Sequence, residues 1–133
     1  MENKNIVTVA ATQMTCSWNI EENVSKAKKI INEAAEKGAN IILLQELFQT
    51  PYFCIQYDEK IFHLAKTFEN NPLLNEMSNL AKKLKVVLPI SFFEKENNAY
   101  FNSIAVINSD GTILGKYRKS HIPDGAGYLE KYY

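Results

Sequence analysis

Only a few side chains in this sequence have both the chemistry and the position to take part in a reaction. Glu46 is the first. It follows directly on the apolar stretch at residues 41–44 and Gln45, which reads as a strand. In an open α/β sheet, ligands bind at the carboxyl ends of strands. A carboxylate there is partly desolvated, which raises its pKa towards the range useful for proton transfer. From position alone, an N-cap or ordinary surface glutamate fits equally well. Lys119 is the second candidate, near the end of a strand pattern at residues 112–119. Side chains alternate across a strand, so Tyr117 and Lys119 share one face and Arg118 takes the other. One of these two cations is then expected to face inward while the other stays in solvent. An inward lysine is costly unless a carboxylate pairs with it. The alternative is that residues 116–119 (Lys-Tyr-Arg-Lys) are simply a solvated face.

The thiols and imidazoles are weaker candidates. Cys16 follows the first strand and Cys54 lies in an aromatic segment. Neither sits at a helix start or beside a base that would lower a thiol pKa from its free value of about 8.5. His63 and His121 are far apart and lack metal-ligand spacing. His63 reads as a surface or packing residue, and His121 as a neighbour of Lys119 that either lines its pocket or merely flanks it. No metal site is expected, and the two cysteines are too scattered for a disulfide framework or a zinc pattern.

The elements that must position these residues follow from local pattern. Residues 6–11 are β-branched and apolar, as in a buried strand. Asn19 is a plausible N-cap, with Glu22 at the capping-box position. Apolar residues then recur at helical spacing from Ile20 to Ala35, and Gly38 marks the stop. Residues 39–45 form a second strand, apolar without alternation, so both of its faces are expected to be covered. Strand, helix and strand make a βαβ unit. Residues 47–58, rich in aromatics and containing Pro51, read as a loop, followed by a weak helical pattern at residues 59–66. A strong helical pattern follows Asn71-Pro72, a natural helix start. Residues 86–93 form a third strand whose internal Pro89 implies an edge or a bulge. Two further strands, residues 99–107 and 112–119, flank a turn with Asp110-Gly111 at its tip. The fold class is therefore α/β, β-α-β-α-β followed by antiparallel strands, with helices against a mixed sheet.

Bulk properties exclude several classes of function. The 133 residues suffice for one domain. Hydrophobic residues make up 46% and charged residues 23%, the balance of a globular protein. Fifteen basic residues face fifteen acidic ones, so no dominant nucleic-acid footprint is expected. The start, residues 1–5, is polar and leads straight into the first strand, with no signal-peptide core. No apolar run reaches the roughly 18 residues of a membrane span. A cytoplasmic location is the default expectation.

Taken in order, the blocks VTVAATQM, GANIILLQELF, VVLPISFFE and NAYFNSIAVINSDGTILGKYRKSHIPDGAGYLEKYY resemble the first half of a nitrilase-superfamily carbon–nitrogen hydrolase. The N-carbamoylputrescine amidases are the most similar subgroup, through QELFQTPYFC, YRKSHIPDG and GYLEKYY. The resemblance implies the N-terminal half of an αββα four-layer sandwich with mixed β-sheets. It assigns Glu46 as general base, Lys119 as catalytic lysine and Glu130 as a second glutamate orienting the site. The family's nucleophile is a cysteine after a later strand, in a Cys-Trp-Asp block. This sequence has one tryptophan, Trp18, and no such block. Residues 1–133 are therefore expected to be a hydrolase domain that ends before its nucleophile, and to be inactive alone. The implied substrate is a small N-carbamoyl amine or amide, with N-carbamoylputrescine hydrolysed to putrescine, CO2 and ammonia. No cofactor is implied, and the full-length protein is expected to form a homo-oligomer. The implied chemistry has the thiolate attack the carbamoyl carbon, with Lys119 and a backbone N–H holding the oxyanion. Alternative readings are another ureido or amide hydrolase, such as a β-ureidopropionase-like enzyme, or a non-catalytic binding or interface module retaining the fold. Without a second half, apolar sheet surface and open strand edges are expected to be exposed, inviting association.

Overall fold

Capping side chains set where both helices begin. In the computed structural model, which describes residues 6–133, helix α1 spans Ile20–Glu36 and the Asn19 side chain accepts the Glu22 backbone N–H at 3.1 Å. That bond satisfies one of the orphan donors of the first turn. The chain leaves α1 through Gly38 at φ +88°, a left-handed position that glycine adopts without steric cost. Helix α2 (Pro72–Leu84) starts with proline, and Asn71 caps the N–H groups of Leu73 and Leu74. Leu74, Met77 and Ala81 from α2 and Ala27 and Ile31 from α1 meet in one fully buried cluster. The weak helical pattern between them forms a 3-10 stretch, Glu59–Leu64. The polar start at residues 1–5 lies outside the described residues. No described helix is long and apolar enough to cross a membrane.

Strand β1 (Val9–Ala11) pairs in parallel with β2 (Ile41–Leu43), giving the expected βαβ unit around α1. Both strands are shorter than their apolar runs. At one end the Asn40 side chain accepts the Thr8 N–H. At the other, the Gln45 amide clasps Met14, donating to its carbonyl and accepting from its N–H. These side chains reinforce the backbone bonds that continue just past the strands, from the Asn40 N–H to the Thr8 carbonyl and from the Thr12 N–H to the Leu43 carbonyl. Strands β3 (Leu88–Glu96), β4 (Ala99–Ile107) and β5 (Ile113–Arg118) form an antiparallel meander. A parallel bridge between Ile41 and Val87 joins β2 to the start of this meander. The order across the sheet is β1-β2-β3-β4-β5, mixed as expected.

Pro89 sits in β3 with its nitrogen on the side away from β4. Val87 faces β2 and the carbonyl of Phe93 faces Lys66 on that same side, and Pro89 falls between them where no ladder bond is needed. Although β3 is not an edge strand, pairing with β2 has ended by this point, so this side of β3 is locally open as the proline requires. Strand β3 runs three residues beyond the expected Phe93, turning into β4 at Asn97 with φ +53°. The β4–β5 turn contains Gly111 at φ +88°, where an added Cβ would lie 2.8 Å from the Ser78 carbonyl oxygen. Only glycine fits this close approach to α2.

Coverage of β2 differs from expectation. Both helices pack on one side of the sheet, so Ile42 is fully buried while Leu43 is 45% exposed. Val9 on β1 and Tyr117 on β5 also lie open, at 71% and 59%. The apolar run lacks alternation because it specifies two apolar faces, of which this chain covers one. The other is the uncovered sheet surface expected above.

Candidate active site

Glu46 is aimed by a reversal of the chain at the end of β2. The next residue, Leu47, is buried and has φ +51°, a left-handed conformation that is strained for a bulky side chain. Its N–H donates to Ser91 Oγ at 2.9 Å, and this bond to β3 helps hold the reversal. A second anchor is Asn23 of α1, fully buried, whose side chain donates to the Ser17 and Gln49 carbonyls and accepts the Ser17 N–H. The loops after β1 and β2 are thereby held against the start of α1. Lys119 follows β5 directly, and its N–H donates to the Asn102 carbonyl at 2.9 Å. Glu130 begins a short 3-10 turn, Glu130–Tyr132. The preceding Leu129 N–H donates to the Cys54 carbonyl at 2.6 Å, docking this segment on the aromatic loop.

These three elements bring Glu46, Lys119 and Glu130 together. Lys119 Nζ lies 3.0 Å from Glu46 Oε1 and 2.9 Å from each oxygen of Glu130. Two further residues complete the cluster. Asn102 Nδ2 donates to Glu46 Oε1 at 2.5 Å and to Glu130 Oε2 at 3.3 Å. The Tyr52 hydroxyl donates to Glu130 Oε1 at 2.5 Å. Neither was singled out from sequence. Tyr52 lay within a loop identified only as aromatic. Asn102 had a local signal, since Asn102-Ser103 is a polar pair inside the otherwise apolar β4.

The two carboxylates differ in environment. Glu130 is buried, with 4% of its side chain exposed, whereas the Glu46 side chain is 45% exposed. Glu46 is thus more open than the desolvated carboxylate expected from its position. Burial pushes the Glu130 carboxyl up, but the Tyr52 hydroxyl, Lys119 ammonium and Asn102 amide outweigh it and hold its pKa below the ordinary value. Burial likewise works against the Lys119 ammonium, yet the bonds to Glu130 and Glu46 raise its pKa overall. Burial and the Glu130 charge push Tyr52 well above the usual phenol range, keeping it a donor. The cluster therefore holds a fixed ammonium between a saturated carboxylate and an open one. Both Glu46 contacts fall on Oε1, and Oε2 accepts from no described residue. A carboxylate with one oxygen pinned and the other free suits proton transfer to a group arriving at the open face.

Concave surface lies on either side. One cleft of ≈ 420 Å³ is lined by Lys119, Glu130, Asn102 and aromatic residues including Phe53, Tyr100 and Tyr133. A second, of ≈ 280 Å³, lies along the uncovered sheet face and includes Glu46, Leu43, Ile104 and Tyr117.

Other candidates fall elsewhere. Arg118 does not stay in solvent. Its guanidinium reaches the fully buried Glu94 on the opposite face of the sheet, because β3 supplies a carboxylate there. His63 is exposed and bonds only the Lys60 carbonyl in its own turn. His121 is exposed and lines neither cleft beside Lys119, where Ile122 takes the wall. Cys54 borders the larger cleft, but burial and the Glu130 charge push its thiol up to about 12. Cys16, raised by burial, donates to the Phe48 carbonyl. Both thiols are thus held in the unreactive form. Among the described residues, no group of three or more His, Cys, Asp or Glu could hold a metal ion.

The family to which the chain belongs is shown by its sequence: the profile "Carbon-nitrogen hydrolase" matches residues 8–133. The chain belongs to that family and has the nitrilase-superfamily fold. It is 54% identical over 132 residues to an N-carbamoylputrescine amidase of Solanum lycopersicum, covering 99% of this chain and 44% of the relative. It is 49% identical over 127 residues to a citrullinase of Francisella tularensis, covering 96% and 44%. Among solved structures, a carbon–nitrogen hydrolase from Helicobacter pylori G27 superposes with a TM-score of 0.88 at 35% identity, covering 96% of this chain and 44% of that one. The chain thus spans less than half the length of the relatives it matches.

Proposed function

We propose that this chain is the glutamate–lysine half of a carbon–nitrogen hydrolase that releases ammonia from a terminal ureido group, with N-carbamoylputrescine as its substrate. The observation that carries this reading is the Lys119 ammonium, held within 3.0 Å of both Glu46 and Glu130. In this scheme a thiol supplied by polypeptide outside these 133 residues meets Glu46 at the uncovered sheet face. Glu46 takes the thiol proton and the thiolate attacks the carbamoyl carbon. Lys119 stabilises the oxyanion as charge develops. Glu46 hands the thiol proton to the departing nitrogen and ammonia leaves. Glu46 then takes a proton from the water that attacks the carbamoyl thioester and returns it to the sulfur as the C–S bond breaks, freeing a carbamate that loses CO2. Glu130, ionised and bonded on both oxygens, keeps the Lys119 ammonium charged and aimed, with Tyr52 and Asn102 fixing Glu130 in turn. The relatives named for N-carbamoylputrescine and for citrulline favour a ureido substrate and leave its far end as the variable part. The same reading makes residues 1–133 one part of a hydrolase domain, inactive alone. It places the domain in a cytoplasmic homo-oligomer.

The test is complementation. Co-expressed with the part of the Solanum lycopersicum enzyme that this chain does not match, the chain releases ammonia from N-carbamoylputrescine faster than from citrulline or N-carbamoyl-β-alanine. Glu46→Gln and Lys119→Met each lower kcat by on the order of 10²–10³-fold. Undiminished kcat in either variant refutes the assignment, and a preference for citrulline moves the substrate.

A further inference from the structure

The sheet carries a second charged cluster directly behind the first. Glu94 of β3 has no exposed surface, yet it is fully satisfied. Its Oε2 accepts from Ser103 Oγ at 2.5 Å and from Arg118 Nε at 3.1 Å. Its Oε1 accepts from Arg118 Nη2 at 2.7 Å and from the Lys116 ammonium. The planar Arg118 fork also lies over the Phe101 ring at 3.7 Å, and Lys116 lies over Phe68 at 4.8 Å. One carboxylate on β3 therefore ties a residue of β4 and two of β5.

The placement of those ties matters more than their number. Ser103 and Arg118 are directly opposite each other in the β4–β5 ladder. Each is the immediate chain neighbour of a site residue: Ser103 follows Asn102, and Arg118 precedes Lys119. Because side chains alternate across a strand, the residues held by Glu94 on the helix side are interleaved with those that reach Glu46 and Glu130 on the open side. Lys119 lies just past the last paired residue of β5, where a strand end frays most readily. The single backbone bond from Lys119 to Asn102 would be a weak restraint alone.

We propose that Glu94 is a positioning residue for Lys119, gripping Ser103, Lys116 and Arg118 so that the end of β5 presents the ammonium to Glu46 and Glu130. The proposal deepens the hydrolase reading, since it assumes that the aim of Lys119 matters. It makes Arg118 a bidentate anchor, for which lysine is a poor replacement.

The experiment reads the lysine side chain directly, on the chain as it stands and without substrate. In a protein labelled with ¹⁵N at lysine Nζ, a lysine held by two carboxylates gives a separate, slowly exchanging ammonium signal. Lys119→Met assigns that signal by deleting it. Ser103→Ala and Arg118→Lys, which keep the buried carboxylate and at least one cation partner, are expected to retain the fold by circular dichroism but to lose the Lys119 signal into the solvent-averaged pool. Gly38→Ala, which strains the left-handed stop of α1 at the opposite end of β2 from Glu46, serves as the control for general destabilisation and leaves the signal in place. If Ser103→Ala and Arg118→Lys fold and keep the signal, or if Gly38→Ala also loses it, the proposal is overturned. Complementation separates the two ideas: full turnover with Lys119→Met overturns the hydrolase reading, while the ammonium signal still decides whether Glu94 sets the position of Lys119.

Discussion

The two faces of the β3–β4–β5 meander hold charged clusters built from neighbouring residues, and they use charge in opposite ways. Behind the sheet, Glu94 is fully buried and its carboxylate accepts four bonds. Burial alone pushes its pKa up, but Arg118, Lys116 and Ser103 bring it down to about 2. At neutral pH it stays ionised, with no acceptor position free for an arriving group. In front, Glu46 is half exposed and bonded through one oxygen only. The buried cluster fixes geometry because every acceptor position is used. The open cluster can do chemistry because one is not. The comparison teaches that a charge network on a sheet is assigned to structure or reaction by its spare capacity rather than by its composition.

The largest expected effect on stability lies behind the sheet. Glu94→Gln leaves two cations facing an amide and is expected to destabilise the chain by about 3 kcal/mol, the lower end for breaking a buried ion pair, because Lys116 and Arg118 retain some exposure. Urea unfolding at neutral pH measures it, and a loss below about 1 kcal/mol would remove the contrast between the faces. The same carboxylate predicts acid sensitivity. Its folded pKa of about 2 lies below the ordinary 4.5, so its stabilisation is complete above pH 4.5 and is lost as the pH falls towards 2. That loss is on the order of 2–3 kcal/mol. Glu130, also lowered, acts in the same direction. Urea midpoints that stay flat between pH 5 and pH 3 would contradict both.

How much of this was legible beforehand follows the same division. Capped helices, the βαβ unit and the Asp-Gly turn were readable because each depends on residues close in sequence. Glu46 and Lys119 could be placed at strand ends from local pattern, but their meeting depends on the β2–β3 and β4–β5 pairings, 73 residues apart in sequence. Glu130 was named only through resemblance, since a glutamate in an irregular tail has no pattern of its own. The buried role of Glu94 was invisible, because a Glu-Lys-Glu sequence at the end of an apolar strand reads as the strand leaving the core. The expectation that one of Lys119 and Arg118 stays in solvent fails for the same reason: alternation gives two faces but does not say that the far one holds a buried carboxylate.

Removing the front-face cation should cost much less stability than emptying the back. Lys119→Met leaves Glu130 with the Tyr52 and Asn102 donors, so the expected loss is about 1 kcal/mol. Its main effect should be electrostatic: Glu46 and Glu130 become neighbouring carboxylates without an ammonium between them, and the Glu130 pKa rises from its lowered value. A ¹³C-carboxyl titration of Lys119→Met reads that rise. An unchanged Glu130 midpoint would mean that Tyr52 and Asn102, rather than Lys119, hold the carboxylate ionised.

The smallest effect distinguishes partner number from burial. Arg118 bonds Glu96 as well as Glu94, and a count of ion pairs would treat the two carboxylates alike. Glu96 is 48% exposed on its side chain, where Glu94 has none exposed. Water competes for Glu96 in both the folded and unfolded chain, and an exposed pair contributes between 0 and about 1 kcal/mol. Glu96→Gln keeps an acceptor for the guanidinium and leaves all Glu94 contacts in place, so its expected cost is within about 0.5 kcal/mol, and the Lys119 ammonium signal should not move. A loss comparable with that of Glu94→Gln would mean that Arg118 is anchored at the rim of the sheet and not at its buried carboxylate, and the grip on Lys119 would have to be reassigned to the rim.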